Sequence, residues 1–353
     1  MLSKEIYTQE YISELRGRTG DDPLMIERTL FAFGLLEAIK SVDMPFVFKG
    51  GTSLMLLLDI PKRFSTDIDI VVEPGTDIDS YIEKAKTVFP FFDKEEDVRK
   101  GKNNIEKRHF RFKYRSPNSG KEVVVILDVL FEERQYPNTV FKPIKNSLLL
   151  TEGEDLTVEM PDVESILGDK LTAFAPNTTG IEFGQDKELE IIKQLFDCAT
   201  LFDAMKDIGI VRDSYNKVVR SEMSYRGLTC PVEDVLKDTI RGCLCIATRG
   251  GSNPDDFKYY INGIGRIRNH IISQMFNGEI AGAYASRVMY LAASMLTGNN
   301  DILKITDAGG YAAQKSEISK PKWFSYMRIV DPVSYGYLIE ASRLLKDMII
   351  DLQ

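Results

Sequence analysis

The chain has 353 residues, of which 43% are hydrophobic and 28% charged, with a net charge of −8; this is the make-up of a folded protein, excluding fibrous and disordered classes. That length can bury one large core or two ordinary ones, and the acidic balance excludes wholesale nonspecific nucleic-acid binding while leaving room for local basic patches. Two histidines, His109 and His270, give little material for a histidine triad or a histidine-rich metal site, and four cysteines do not make a disulfide framework.

In chain order, the first predicted element is a helix from Pro23 to Val42, capped by Asp21 or Asp22, with Pro23 in its first turn where a missing N–H costs nothing. Ile26, Leu30, Phe33, Leu36 and Ile39 form its apolar stripe. A short strand over Phe46, Val47 and Phe48 runs into the turn Lys49-Gly50-Gly51-Thr52-Ser53, and Leu54 to Leu58 is apolar all round, as a helix buried against a sheet would be. Thr66 to Val72 reads as a strand and Asp77 to Phe89 as a helix. Arg108 to Arg115 and Glu122 to Phe131 read as a hairpin around Pro117-Asn118-Ser119-Gly120. From Pro161 onward the pattern is helical, with segments at Asp162 to Ala175, Lys187 to Met205, Glu233 to Thr248, Ile261 to Phe276, Ile280 to Leu296 and Val333 to Leu352. The expected fold is α+β, a mixed-sheet domain over 1–155 followed by a mainly helical domain over 156–353. No run of about 20 apolar residues occurs and the first residues lack a secretion signal, so a cytoplasmic location is expected.

The chemistry begins at Gly50-Gly51-Thr52-Ser53. Two glycines permit a tight turn and close approach of a ligand, N–H groups at a helix start favour an anion, and Thr52 and Ser53 add hydroxyl donors. The same dipeptide is also an ordinary turn. Next comes Arg63-Phe64-Ser65-Thr66-Asp67-Ile68-Asp69-Ile70: on a strand, Asp67 and Asp69 project to one face, where they repel unless a cation lies between them, and hard oxygen donors suit magnesium. Asp128 falls in Val123 to Phe131, a run that reads as a strand covered on both faces, where an ionised carboxylate is costly unless paired or metal-bound. Arg63 either reaches a phosphate or caps the strand, and Ser65 either bonds near the metal or starts it. Phe110, Phe112 and Tyr114 form a core face of the hairpin. His109, Arg111, Lys113 and Arg115 form a basic face, either a groove for an RNA backbone or a solvated edge. The wider basic run includes Arg99, Lys100 and Lys102.

A glycine turn, a short helix, a D-x-D strand and a third Asp on a later strand together resemble the DNA polymerase β-like nucleotidyltransferase superfamily. More narrowly, KGGTSL followed by RFSTDIDI resembles the AbiEii/AbiGii abortive-infection toxin family. Gly168-Asp169-Lys170-Leu171-Thr172-Ala173 resembles that family's third motif and Lys193-Gln194-Leu195-Phe196-Asp197 its fourth, with Gln194 where an acidic residue is usual. The resemblance implies an NTP-dependent nucleotidyltransferase with a two-metal Mg2+ site at Asp67, Asp69 and Asp128. Gly50, Gly51, Thr52, Ser53, Arg63, Ser65 and Lys193 would hold the nucleotide, Lys170 would neutralise phosphate, and Asp197 would serve the active site. It further implies a tRNA acceptor, a cognate antitoxin protein and a role in phage defence, with the helical domain completing the active site and binding acceptor or partner. Two alternatives stand beside it: nucleotidylation of a protein hydroxyl, and a catalytically silent nucleotide-binding regulatory module.

Overall fold

The computed structural model describes residues 1–97, 106–315, 324–346 and 348. Arg99, Lys100 and Lys102 of the basic run lie outside the described residues, as does the end of the last expected helix. The chain divides into two compact units, one of residues 1–162 with 269–274 and the other of residues 163–268 with 275–353.

In the first unit, α1 (Gln9–Thr19) and α2 (Pro23–Ser41) precede β1 (Val47–Lys49) and α3 (Gly50–Leu57). There follow β2 (Asp67–Val72), α4 (Asp79–Ala85), β3 (Asp93–Glu96), β4 (Lys107–Arg115), β5 (Glu122–Phe131) and a separate pair, β6 (Thr139–Pro143) with β7 (Thr157–Pro161). The main sheet is five-stranded in the order β1-β2-β5-β4-β3. Only the β2–β5 pair is parallel, so the sheet is mixed.

The Asp22 carboxylate accepts the Leu24 N–H at 2.8 Å and Pro23 opens the first turn, so α2 starts where cap chemistry puts it. Its burial is wider than one stripe. Phe31, Ala32, Leu35 and Ala38 are buried too, because one side packs on the sheet, where Phe31 stacks on Tyr114 at 3.7 Å. The other is covered by α1 and by Tyr7, whose hydroxyl lies 2.6 Å from where a Cβ on Gly34 would stand. A buried carboxylate ties α2 to the hairpin: Glu27 accepts from the Tyr114 hydroxyl at 3.1 Å, the Ser116 hydroxyl at 3.0 Å and the Asn118 amide at 2.7 Å. Glu27→Ala strands those donors and should destabilise the protein by roughly 3 kcal/mol, read as a lower urea midpoint at unchanged m-value.

The second unit contains α5 (Val163–Ala173), α6 (Glu188–Ala204), α7 (Ile208–Arg226), α8 (Val232–Ala247), α9 (Pro254–Arg266), α10 (Gly278–Thr297), α11 (Ser325–Val330) and α12 (Pro332–Leu344). Two departures from the expected helices have physical causes. The unassigned stretch after Met205 is α7, capped by Asp207 accepting from Gly209 N–H and closed by Gly227 at φ 64°; its buried Val211, Tyr215, Val218 and Val219 are spaced for a helix but diluted by polar residues. The helix expected over Ile261 to Phe276 instead starts at Pro254, in the N1 position behind an Asn253 cap, and ends at Arg266. Pro254 is a helix start rather than a break. Residues 269–274 then return to the first unit, where Ile271 forms a bridge with Arg63.

The cysteines are free: Cys198, Cys243 and Cys245 are buried, and burial pushes the Cys245 thiol up to about 12. Among the described residues no helix is long and apolar enough to cross a membrane.

Candidate active site

Pairing register assembles the site in the first unit. Lys49 of β1 stands opposite Asp69 of β2, Asp69 opposite Asp128 of β5, and Asp128 opposite His109 of β4. Directly opposed residues share a face, so Lys49, Asp69, Asp128 and His109 form one transverse row across four neighbouring strands, and Asp67, two residues before Asp69, joins that face. The other face carries Ile68, Ile70, Phe110, Phe112, Leu127 and Val129, all buried.

The setting of Asp128 corrects one expectation. Burial alternates along β5, with Val125, Leu127, Val129 and Phe131 buried and the residues between them partly open. The Asp128 side chain is 36% exposed. Aliphatic residues on the open face gave the run its doubly covered look, and the carboxylate stands on the half-open side. It is not alone there, because its Oδ1 lies 2.5 Å from His109 Nδ1.

The glycines fit this face closely. Gly50 has φ +79°, and a Cβ there would stand 2.0 Å from Asp69 Oδ2; a Cβ on Gly51 would stand 2.6 Å from an Arg63 guanidinium nitrogen and 2.8 Å from Ser65 Oγ. Gly50 therefore meets both demands that select glycine, a left-handed backbone and a close approach. Gly51 meets the second. The hydroxyls of Thr52 and Ser53 depart from the role expected of them: both residues are fully buried, Thr52 donating to the Asp67 carbonyl at 2.6 Å and Ser53 to the Gly50 carbonyl at 2.9 Å. They pin α3 to β2 and to its own first turn, which leaves backbone N–H groups as the donors this turn can offer an anion.

Arg63 is buried and donates to the Phe64 carbonyl at 3.0 Å. The loop carrying Arg63 and Ser65 is held from far along the chain, Phe64 N–H donating to the His270 carbonyl at 2.7 Å and Ile272 N–H to the Lys62 carbonyl at 3.1 Å. The Ser65 carbonyl accepts from Thr29 of α2 at 3.1 Å.

On the basic face of β4, one cation is neutralised by carboxylates of neighbouring strands. Lys113 bonds Glu95 and lies 3.4 Å from Asp93 and 3.7 Å from Glu122. Arg108, on the helix-covered side, bonds Glu96 and Asp79 at 2.8 Å each. The acidic strand β3, absent from the expected elements, supplies most of these partners, while Arg111 is exposed.

The third and fourth motif residues lie in the second unit. Lys170 on α5 and Asp197 on α6 form an ion pair at 2.8 Å with side chains only 8% and 2% exposed, and Lys170 also reaches Gln194 at 3.3 Å. Lys193 pairs with Glu190 at 3.0 Å, and Asp169 is half-buried. Gly168 has a packing cause, since a Cβ there would stand 2.6 Å from the Tyr215 nitrogen of α7.

Whether the first-unit face suits magnesium follows from its donors. Among the described residues no three His, Cys, Asp or Glu side chains are gathered into a metal cage. Magnesium at a phosphate-transfer site does not need one, since it takes one or two carboxylates and completes its shell with water and substrate phosphate. Asp67 is exposed and Asp69 half-exposed beside the glycine turn, so this face offers hard oxygen donors of the right kind.

The family model described as nucleotidyl transferase AbiEii toxin, type IV TA system, matches residues 35–269. No curated protein sequence matches the chain. Two solved Helicobacter pylori structures are similar to it, JHP933 and a candidate nucleotidyltransferase, each 14% identical with a TM-score of 0.44; they cover 77% of this chain and 94% and 96% of their own.

Proposed function

We propose, on the premise that the chain belongs to the AbiEii nucleotidyl transferase toxin family of type IV toxin–antitoxin systems, that it transfers a nucleoside monophosphate from an NTP to a hydroxyl of tRNA with the help of magnesium. In this reading the modification stops growth during phage infection, works in the cytoplasm and is held in check by a cognate antitoxin protein. The observation that carries it is the placing of Asp67, Asp69 and Asp128 on one sheet face, with Gly50 fitted against the Asp69 carboxylate.

Asp67 and Asp69 would hold the metal, with Asp128 as a third ligand or as the base. Magnesium, when bound, neutralises charge on the triphosphate and polarises the phosphorus under attack. The backbone N–H groups at Gly50 and Gly51 orient the phosphates, and Arg63 and Ser65 stiffen the turn from below. As the base, Asp128 would take the proton as the acceptor oxygen bonds to the α-phosphorus, while the bond to the bridging oxygen breaks and pyrophosphate leaves. Lys170, Lys193 and Asp197 join the proposed machinery through their motifs, Lys170 as a point charge for phosphate. The mainly helical domain, 156–353, recognises acceptor or partner.

The test is incubation of purified protein with magnesium, each labelled NTP in turn, and either total tRNA or protein extract. Label in tRNA that vanishes with a chelator is expected. With Lys113 neutralised by its carboxylates, tRNA binding draws on fewer cations of β4 than its sequence suggests, and Arg111→Glu should still weaken it and flatten its dependence on salt. Label only in protein would move the acceptor to a protein hydroxyl, and NTP binding without transfer would leave a regulatory module.

A further inference from the structure

His109 stands in the transverse row of the site face and belongs to none of the motifs. It stands opposite Asp128 in the β4–β5 register, its side chain is 15% exposed, and its Nδ1 lies 2.5 Å from Asp128 Oδ1. Its neighbours on the same face of β4 are Lys107 and Arg111, while on β5 they are the apolar Ile126 and Leu130, and across Asp128 stands Asp69. Lys113, two positions beyond Arg111, turns to the carboxylates of β3. His109 turns the other way, into the carboxylate row.

A carboxylate on a half-open strand face has two soft torsions, so it can chelate an ion through both oxygens, through one, or swing away. Magnesium's near-octahedral shell favours single-oxygen carboxylate ligands. A ring N–H anchored to one oxygen removes the other choices, as hydrogen-bonded partners of ligating groups do in metal sites generally, where their loss costs about 10–100-fold in metal affinity or activity.

We propose that His109 is a positioning residue that donates from Nδ1 to Asp128 Oδ1 and thereby presents Oδ2 alone to the metal or the attacking hydroxyl. This rests on the reading of Asp128 as part of the nucleotidyl-transfer site. The β4–β5 register sets His109 opposite Asp128, so the hairpin brings the ring to the third carboxylate. His109 touches neither nucleotide nor acceptor in this role.

The experiment uses Mn2+ as the metal probe, its binding to the full chain followed by the loss of the free-ion EPR signal with a non-hydrolysable NTP present, together with kcat and KM for NTP and a thermal melt. An asparagine amide places its N–H close to the Nδ1 position, whereas a glutamine amide places it near Nε2. His109→Asn should keep Mn2+ affinity within about threefold, and His109→Gln and His109→Leu should weaken it by roughly tenfold or more and lower kcat with little change in KM. Equal Mn2+ affinity in the Asn, Gln and unsubstituted proteins overturns the proposal, as does parallel loss in Asn and Gln. Asp67→Ala serves as the reference. If it abolishes Mn2+ binding while all His109 variants retain it, the positioning role fails and the site reading stands. If Asp67→Ala also binds Mn2+ normally, the site reading itself is wrong.

Discussion

Asp69→Ala is expected to leave a folded protein that has lost nucleotidyl transfer by roughly a thousandfold or more, the scale set by about 4 kcal/mol of transition-state charge stabilisation at a factor of ten per 1.36 kcal/mol. Asp69 stands on the same face as Asp67 and opposite Asp128, on the side of the sheet away from the buried Ile68 and Ile70, so the substitution leaves the apolar core in place. A cooperative thermal melt of the variant, run beside the transfer assay, separates loss of chemistry from loss of fold. Gly50→Ala makes the useful contrast. Its Cβ would stand 2.0 Å from Asp69 Oδ2, at a backbone φ of +79°, so it should displace the same carboxylate and also strain the turn, losing both activity and stability. Transfer within tenfold of the unsubstituted protein in a well-folded Asp69→Ala would remove Asp69 from the reaction.

How much of this was legible beforehand depends on the range of the signal. The cap and proline of α2, the glycine turn before α3, and the turn residues between β4 and β5 are local, and the structure places helix, turn and hairpin where those residues put them. The aspect of β5 was not legible. Valine, isoleucine and leucine fill both faces of the strand, so periodicity could not separate a strand covered on both sides from one half open. His109 carried a usable signal that the motifs obscured: counting back from the turn, with Arg115 opposite Glu122, sets His109 opposite Asp128. The acidic strand β3 was hidden for the opposite reason. Asp93 to Glu96 has little strand propensity and is held as a strand by pairing with β4. The return of residues 269–274 to brace Arg63 is a tertiary fact with no local mark beyond the pair Ile271-Ile272. The cysteines followed their composition, as free thiols.

The pair Lys170 and Asp197 separates structure from chemistry most sharply. Each is nearly enclosed, and they meet at 2.8 Å. Lys170→Met leaves the Asp197 carboxylate buried without its cation, and Asp197→Leu does the same to the ammonium, so each single substitution should cost about 3–5 kcal/mol. Replacing both removes the stranded charge, and an apolar pair of similar volume is often neutral or stabilising. The double variant should therefore regain most of the stability lost in either single one, a coupling visible in a denaturant-melt cycle. Activity is expected to part company with stability at that point. If Lys170 also lends its charge to phosphate, the restored double variant stays inactive and binds NTP weakly, because no apolar side chain replaces that charge. If transfer returns with the fold, the motif lysine is a buried strut between α5 and α6, and the phosphate must be met by other cations.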